Sequence, residues 1–132
     1  MEEYLKKDFG KILKAQGLEA RRWMKNTDSD VCRVYDRSLE GLELTVDIYG
    51  PYARIMDYRD EGRSEDEITE IMDIVSRFLY IERDKVIWKE RKKREGREQH
   101  EKGTGECPVV VKENGLYFEC ELMKYVDTGL FL

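Results

Sequence analysis

The chain has 132 residues, of which 40% are apolar and 40% charged, with a formal net charge of −5. That length supports one domain with a modest core rather than two, and the mixing of apolar residues with charges of both signs excludes wholesale disorder. No apolar run approaches the ~20 residues of a membrane span, the N-terminus is too charged for a secretory signal, and three widely spaced cysteines with one histidine argue against a metal centre and for reduced thiols in a cytoplasm.

Residues 3–16 carry an amphipathic helical pattern. Leu5, Phe9, Ile12 and Leu13 fall on one face and Lys7, Lys11 and Lys14 on the opposite one. Gly17 is a plausible stop, after which Leu18 to Asn26 forms a second short helical piece. Thr27-Asp28-Ser29-Asp30 is a turn cluster. Val31 to Tyr35 reads as a short strand. Leu42 to Tyr49 alternates cleanly, with Leu42, Leu44, Val46 and Ile48 on one side and Glu43, Thr45 and Asp47 on the other. Gly50-Pro51 then turns the chain into Tyr52 to Tyr58, which suggests an antiparallel meander with one wet face.

Ser64-Glu65-Asp66-Glu67 has the form of a capping box ahead of a helix whose buried stripe is Ile68, Ile71, Met72, Val75 and Leu79. Lys85 to Trp88 reads as a strand, followed by a charged run and a loop over 95–106. Val109 to Val111 and Leu116 to Leu122 flank Asn114-Gly115, a two-residue hairpin signal. In that register Lys112 faces Tyr117, Val111 faces Phe118 and Val109 faces Cys120. The expected fold is α+β: a mostly antiparallel sheet with an N-terminal amphipathic helix and one central helix packed on one face, and a C-terminal β-hairpin.

Charge is unevenly spread. Residues 1–25 hold seven basic and four acidic side chains, 59–82 three and eight, and 85–102 eight and four. Local patches of this kind steer ligands more than the total does. The run with Lys89, Arg91, Lys92, Lys93, Arg94 and Arg97 beside Trp88 is the best binding candidate. Lysine and arginine neutralise phosphates, and an adjacent aromatic stacks on an unpaired base. Lys7, Lys11 and Lys14 can join it. The bland alternative is a solvated face, since Glu90, Glu95 and Glu98 are interspersed. No Walker A loop, GxGxxG, GxSxG or HExxH is present. His100 sits in a charged loop, where a solvated surface role is the ordinary one. Cys32 beside Arg33 fits a small buried strand residue better than an activated thiol. The apolar end Leu130-Phe131-Leu132 has no polar finish, so it either docks on its own sheet, pairs two copies, or continues into more structure.

Several segments occur in a familiar order. They are Arg33-Val34-Tyr35-Asp36, Leu44 to Gly50, Lys89-Glu90-Arg91 with Gly96 and Gln99 to Lys102, Glu113 to Phe118, and Asp127-Thr128-Gly129-Leu130-Phe131-Leu132. On these the chain resembles class I S-adenosylmethionine-dependent methyltransferases that act on large-subunit ribosomal RNA. It is most similar to the guanine-N7 half of the fused K/L enzymes, and related cytosine-C5 enzymes share the architecture. The family commonly has Tyr where His100 stands, and its basic run is less dense.

The resemblance implies three parts: an N-terminal helical segment (1–26), a substrate-recognition domain (27–126), and at 127–132 the start of a Rossmann-like catalytic domain that this sequence lacks. It places Asp127, Thr128, Gly129 and Phe131 beside the cofactor pocket, and Lys89, Arg91, Gln99, Glu101 and Lys102 on a substrate-facing loop. The implied cofactor of the full-length enzyme is S-adenosylmethionine. The implied partner is large-subunit ribosomal RNA, with no membrane and no metal. By itself the chain is expected to be inactive and to bind no cofactor. The alternatives are a free-standing RNA-binding or adaptor module, and an interaction domain that dimerises through its apolar C-terminus.

Overall fold

A computed structural model describes residues 1–90 and 107–123. The described elements are α1 (Glu3–Asn26), β1 (Val31–Asp36), β2 (Leu44–Tyr49), β3 (Tyr52–Asp57), α2 (Glu65–Leu79), a 3-10 turn (Arg83–Lys85), β4 (Val86–Glu90), β5 (Pro108–Glu113) and β6 (Leu116–Glu121). Strands β1 to β4 form one sheet in chain order, and β5 pairs with β6 in a second. The pairs β1–β2 and β2–β3 are antiparallel, whereas β4 returns parallel to β3 through α2. A parallel neighbour needs such a crossover.

Two glycines expected to weaken or stop the first helix instead let it run on. A Cβ on Gly10 would lie 2.7 Å from the Phe78 ring, and one on Gly17 would lie 2.8 Å from Leu79 Cδ2. The two sit seven residues apart, and so on one face. They are where α2 comes against α1. The close approach offsets their poor helix propensity, and one helix of 24 residues replaces the expected two pieces.

Both helices cover the same side of the sheet. Phe9 and Leu13 of α1, and Ile71 and Val75 of α2, share a core with Leu44, Val46, Ile48, Ala53, Ile55 and Trp88. The Phe9 ring meets the Tyr35 ring edge-on, with centroids 4.9 Å apart and planes at 75°. Tyr35 also donates its hydroxyl to the Leu42 carbonyl at 2.9 Å and accepts from the Leu39 N–H at 3.0 Å, which folds the β1–β2 loop inward. A register shift between Arg33 and Tyr35 lets Val34 enter this core as well. At the start of α2, Ser64 accepts from the Glu67 N–H at 3.1 Å as expected. The Glu67 carboxylate, however, bonds Arg63 at 3.2 Å, so no return half of the capping box is seen. The left-handed Tyr80 ends the helix, with the Ile81 N–H on the Ser76 carbonyl.

The other side of the sheet is not the wet face that the alternation predicts. Thr45 and Asp47 are buried, as are Arg54 and Lys89. The hairpin β5–β6 covers its apolar half, where Val111, Cys120 and Leu122 pack on Val31, Tyr49 and Ile87. Its polar half is a row across three strands. Asp47 pairs in register with Arg33 on one side and Arg54 on the other. Arg33 makes two bonds to the Asp47 carboxylate, at 2.7 and 3.1 Å, and Arg54 donates to the Leu122 carbonyl at 2.8 Å. Burial still pushes the Asp47 carboxyl up, against the pull of Arg33. The pair therefore recovers only part of its desolvation cost, and it acts to fix strand register and the seat of the hairpin.

The hairpin has the predicted register, with Val111 opposite Phe118 and Val109 opposite Cys120. Asn114 (φ 53°) and Gly115 (φ 80°) both take left-handed backbone, as a tight hairpin turn demands. Its tip is clamped by the 27–30 turn. Asn114 N–H donates to Ser29 Oγ at 2.8 Å, Gly115 N–H to the Asp28 carbonyl at 2.9 Å, and Lys112 N–H to the Asp30 carboxylate.

Candidate nucleic-acid interface

Because α1 is continuous, its outer face carries one long stripe. Tyr4, Lys7, Lys11, Lys14, Leu18, Arg21 and Lys25 recur at steps of three or four, Arg22 sits next to Arg21, and all are exposed. From Lys7 to Lys25 the stripe runs about 27 Å at ~1.5 Å per residue. Buried Leu5, Phe9, Leu13, Ala20 and Met24 hold the opposite face to the sheet, so the cations point outward by construction.

Most of these cations are uncommitted. Arg22 pairs with Glu19 at 3.3 Å, and Arg21 donates to the Leu79 carbonyl at 2.9 Å. Lys6, beside the stripe, is held by Glu70 at 2.8 Å and Glu3 at 3.0 Å, and these bonds raise its pKa. Among the described residues, Lys7, Lys11, Lys14 and Lys25 make no ion pair. A row of unpaired cations at one helical spacing is suited to the phosphates of a nucleic-acid backbone.

The predicted site residues divide three ways. Lys7, Lys11 and Lys14 lie in the stripe. Lys89 lies on β4 in alternation with Ile87, so it belongs to the face away from α1, where it is buried. The structure therefore does not bring Lys89 onto the α1 stripe. Arg91, Lys92, Lys93, Arg94, Arg97, Gln99, His100, Glu101, Lys102, Asp127, Thr128, Gly129 and Phe131 are outside the described residues. Tyr4, Arg21, Arg22 and Lys25 are not among the predicted site residues, the last three because the helix is expected to stop at Gly17. The three-and-four spacing continues through that glycine and would have found them.

Other chemistry is sparse. Cys32, Cys107 and Cys120 are free, and burial pushes each thiol up, so none is a ready nucleophile. Among the described residues no cluster of histidine, cysteine and carboxylates is arranged to hold a metal, and no helix is long and apolar enough to cross a membrane. An adenosine cofactor would be held at the carboxyl end of a parallel strand leading into a helix. The described junction of that kind is β3 to α2. There the Arg63 side chain, fully buried, bonds Asp57 at 3.2 Å and the Gly41 carbonyl at 3.0 Å. The buried Arg63 side chain thus occupies that junction.

No family model matches this chain. Proteins called ribosomal RNA large subunit methyltransferase K/L are similar to it over nearly its whole length. Those of Marinomonas sp., Photobacterium profundum and Vibrio parahaemolyticus are 30%, 31% and 32% identical, over 94%, 99% and 97% of the chain. The chain spans only 18% or 19% of the length of these relatives. Two solved structures share the fold. A candidate S-adenosylmethionine-dependent methyltransferase of Streptococcus mutans has a TM-score of 0.62 at 18% identity, covering 96% of this chain and 33% of its own. A candidate methyltransferase solved with S-adenosylhomocysteine has a TM-score of 0.63, also at 18% identity, covering 96% and 32%.

Proposed function

We propose, on the premise that the chain is homologous to a segment of large-subunit ribosomal RNA methyltransferases, that it is the RNA-recognition portion of such an enzyme. The observation that carries this reading is the outward stripe of lysines on α1, which make no ion pair among the described residues. The chain grips ribosomal RNA by its phosphates, in support of methyl transfer carried out elsewhere in the enzyme. An enzyme that modifies a base must present it unstacked to the methyl donor, so a firm grip on the surrounding RNA serves the chemistry directly. In the full-length enzyme, Arg91, Lys92, Lys93, Arg94, Arg97, Gln99 and Lys102 form a second contact with the RNA, while Lys89 is buried and takes no part in it. Asp127, Thr128, Gly129 and Phe131 adjoin the S-adenosylmethionine pocket. Such an enzyme works in the cytoplasm, where its ribosomal substrate is assembled.

The test is fluorescence anisotropy with labelled fragments of large-subunit ribosomal RNA. The chain is expected to bind at low salt and to release as salt rises, because phosphate contacts displace counterions. Failure to bind any fragment at low salt would refute the reading. Titration calorimetry with S-adenosylmethionine is expected to show negligible heat for this chain, in keeping with the buried Arg63 at the β3–α2 junction. Micromolar binding would move the cofactor site into this domain.

A further inference from the structure

At one end of the stripe, α1 and α2 leave an open groove of about 690 Å³. Among the described residues it is lined by Tyr4, Ile74 and Phe78, by the cations Lys6, Lys7 and Arg77, and by one carboxylate, Glu3, which Lys6 pairs at 3.0 Å. The floor is apolar. Phe78 and Ile74 pack partly into the core, and Gly10 lets the Phe78 ring lie against the α1 backbone, where a Cβ would sit 2.9 Å from its Cζ. One wall is the Tyr4 ring, which is 65% exposed although a tyrosine normally gains by burying its ring. Cations stand at the margins. Lys7 has no ion pair among the described residues, and the Arg77 guanidinium lies 5.4 Å from the centre of the Phe78 ring. Lys6 is already neutralised by Glu70 and Glu3, which leaves Lys7 and Arg77 as the groove's cations.

We infer that this groove seats one unpaired nucleotide, its base stacked against Tyr4 over the Phe78 floor and its phosphates on Lys7 and Arg77. An exposed aromatic between cations is the arrangement by which proteins hold unstacked bases. A regular duplex offers phosphates to the lysine stripe but no free base to Tyr4. The interface therefore selects a single-stranded or looped segment next to the phosphates it grips. A second cavity, of about 450 Å³ beside β4, is a poorer seat because its lining sets Glu65 and Asp84 against the one cation Arg83, whereas here Glu3 faces Lys6, Lys7 and Arg77. The inference rests on the RNA reading above and sharpens it to the class of RNA.

The experiment compares two probes, an oligouridine of about twelve nucleotides and an RNA duplex of similar length. Tyr4→Ala is expected to weaken oligouridine binding about tenfold while leaving duplex binding unchanged, as loss of one stacked base predicts. Tyr4→Phe should keep wild-type affinity, since the ring and not the hydroxyl does the stacking. The side chain is exposed, so neither change threatens folding, and circular dichroism melts check this. Equal losses on both probes, or none on oligouridine, would overturn the base seat while leaving the phosphate grip intact. Wild-type chain that binds neither probe would overturn the RNA reading and this inference with it.

Discussion

Replacing Lys7, Lys11 and Lys14 together by glutamate is expected to weaken ribosomal RNA binding on the order of 100-fold at low salt. Each lysine points to solvent from the outer face of α1, and none is paired among the described residues. Their charges are thus available to phosphate without first breaking an internal bond. Reversal removes three attractions and adds three repulsions along one line. The fold should not notice, because exposed substitutions away from caps and buried groups usually change stability by less than about 0.5 kcal/mol. The same reversal at Lys6 would be a poor control, since it breaks the bond to Glu70 that ties α1 to α2. Anisotropy and a thermal melt on the same preparation check the pair of expectations. Unchanged affinity would remove the stripe from any role in binding.

Phe9→Ala is expected to lower stability by about 3 to 5 kcal/mol. Phe9 has no exposed surface and packs against Tyr35, whose hydroxyl in turn organises the β1–β2 loop. Truncation leaves a hole between α1 and the sheet that the Gly10 and Gly17 contacts on the neighbouring face cannot close. For a domain of this size the melting midpoint should fall by roughly 10–20 °C. The function should suffer with it, because Phe9 is one of the anchors that turn the lysines outward. A chain with alanine at this position that melts within about 2 °C of wild type would mean that α1 is not seated as described. The comparison with Tyr4→Ala is instructive. The two aromatics are five residues apart on one helix, yet one change should act first on stability, and through it on binding, and the other on binding alone.

Much of this was legible from sequence because local chemistry and tertiary packing agree there. The α2 stripe, the Ser64 cap and the Asn114-Gly115 turn need only spacing and turn preferences, and all three are found. The extent of α1 was not legible. Gly10 and Gly17 weaken an isolated helix, and their compensation comes from Phe78 and Leu79, more than sixty residues away. The buried far face of the sheet was misread for a related reason. Alternation shows which residues share a face but not what covers it, and the cover here is a hairpin that follows much later in the chain. One clue was nevertheless present. A tight turn at Gly50-Pro51 puts Arg54 opposite Asp47, so the charges of that face arrive already paired across strands. Within the candidate interface, Lys7, Lys11 and Lys14 were found by helical period, while Tyr4 carries no charge and was not singled out.

The most direct measurement is the salt dependence of ribosomal RNA binding for the wild-type chain and the Lys7, Lys11 and Lys14 triple glutamate variant. Each phosphate contact contributes about 0.7 to 0.9 to the slope of log K against log salt. If the α1 stripe is the RNA interface, the variant's slope should be shallower by roughly two to three. Equal slopes for the two proteins would contradict it, since the three lysines would then release no counterions when RNA binds.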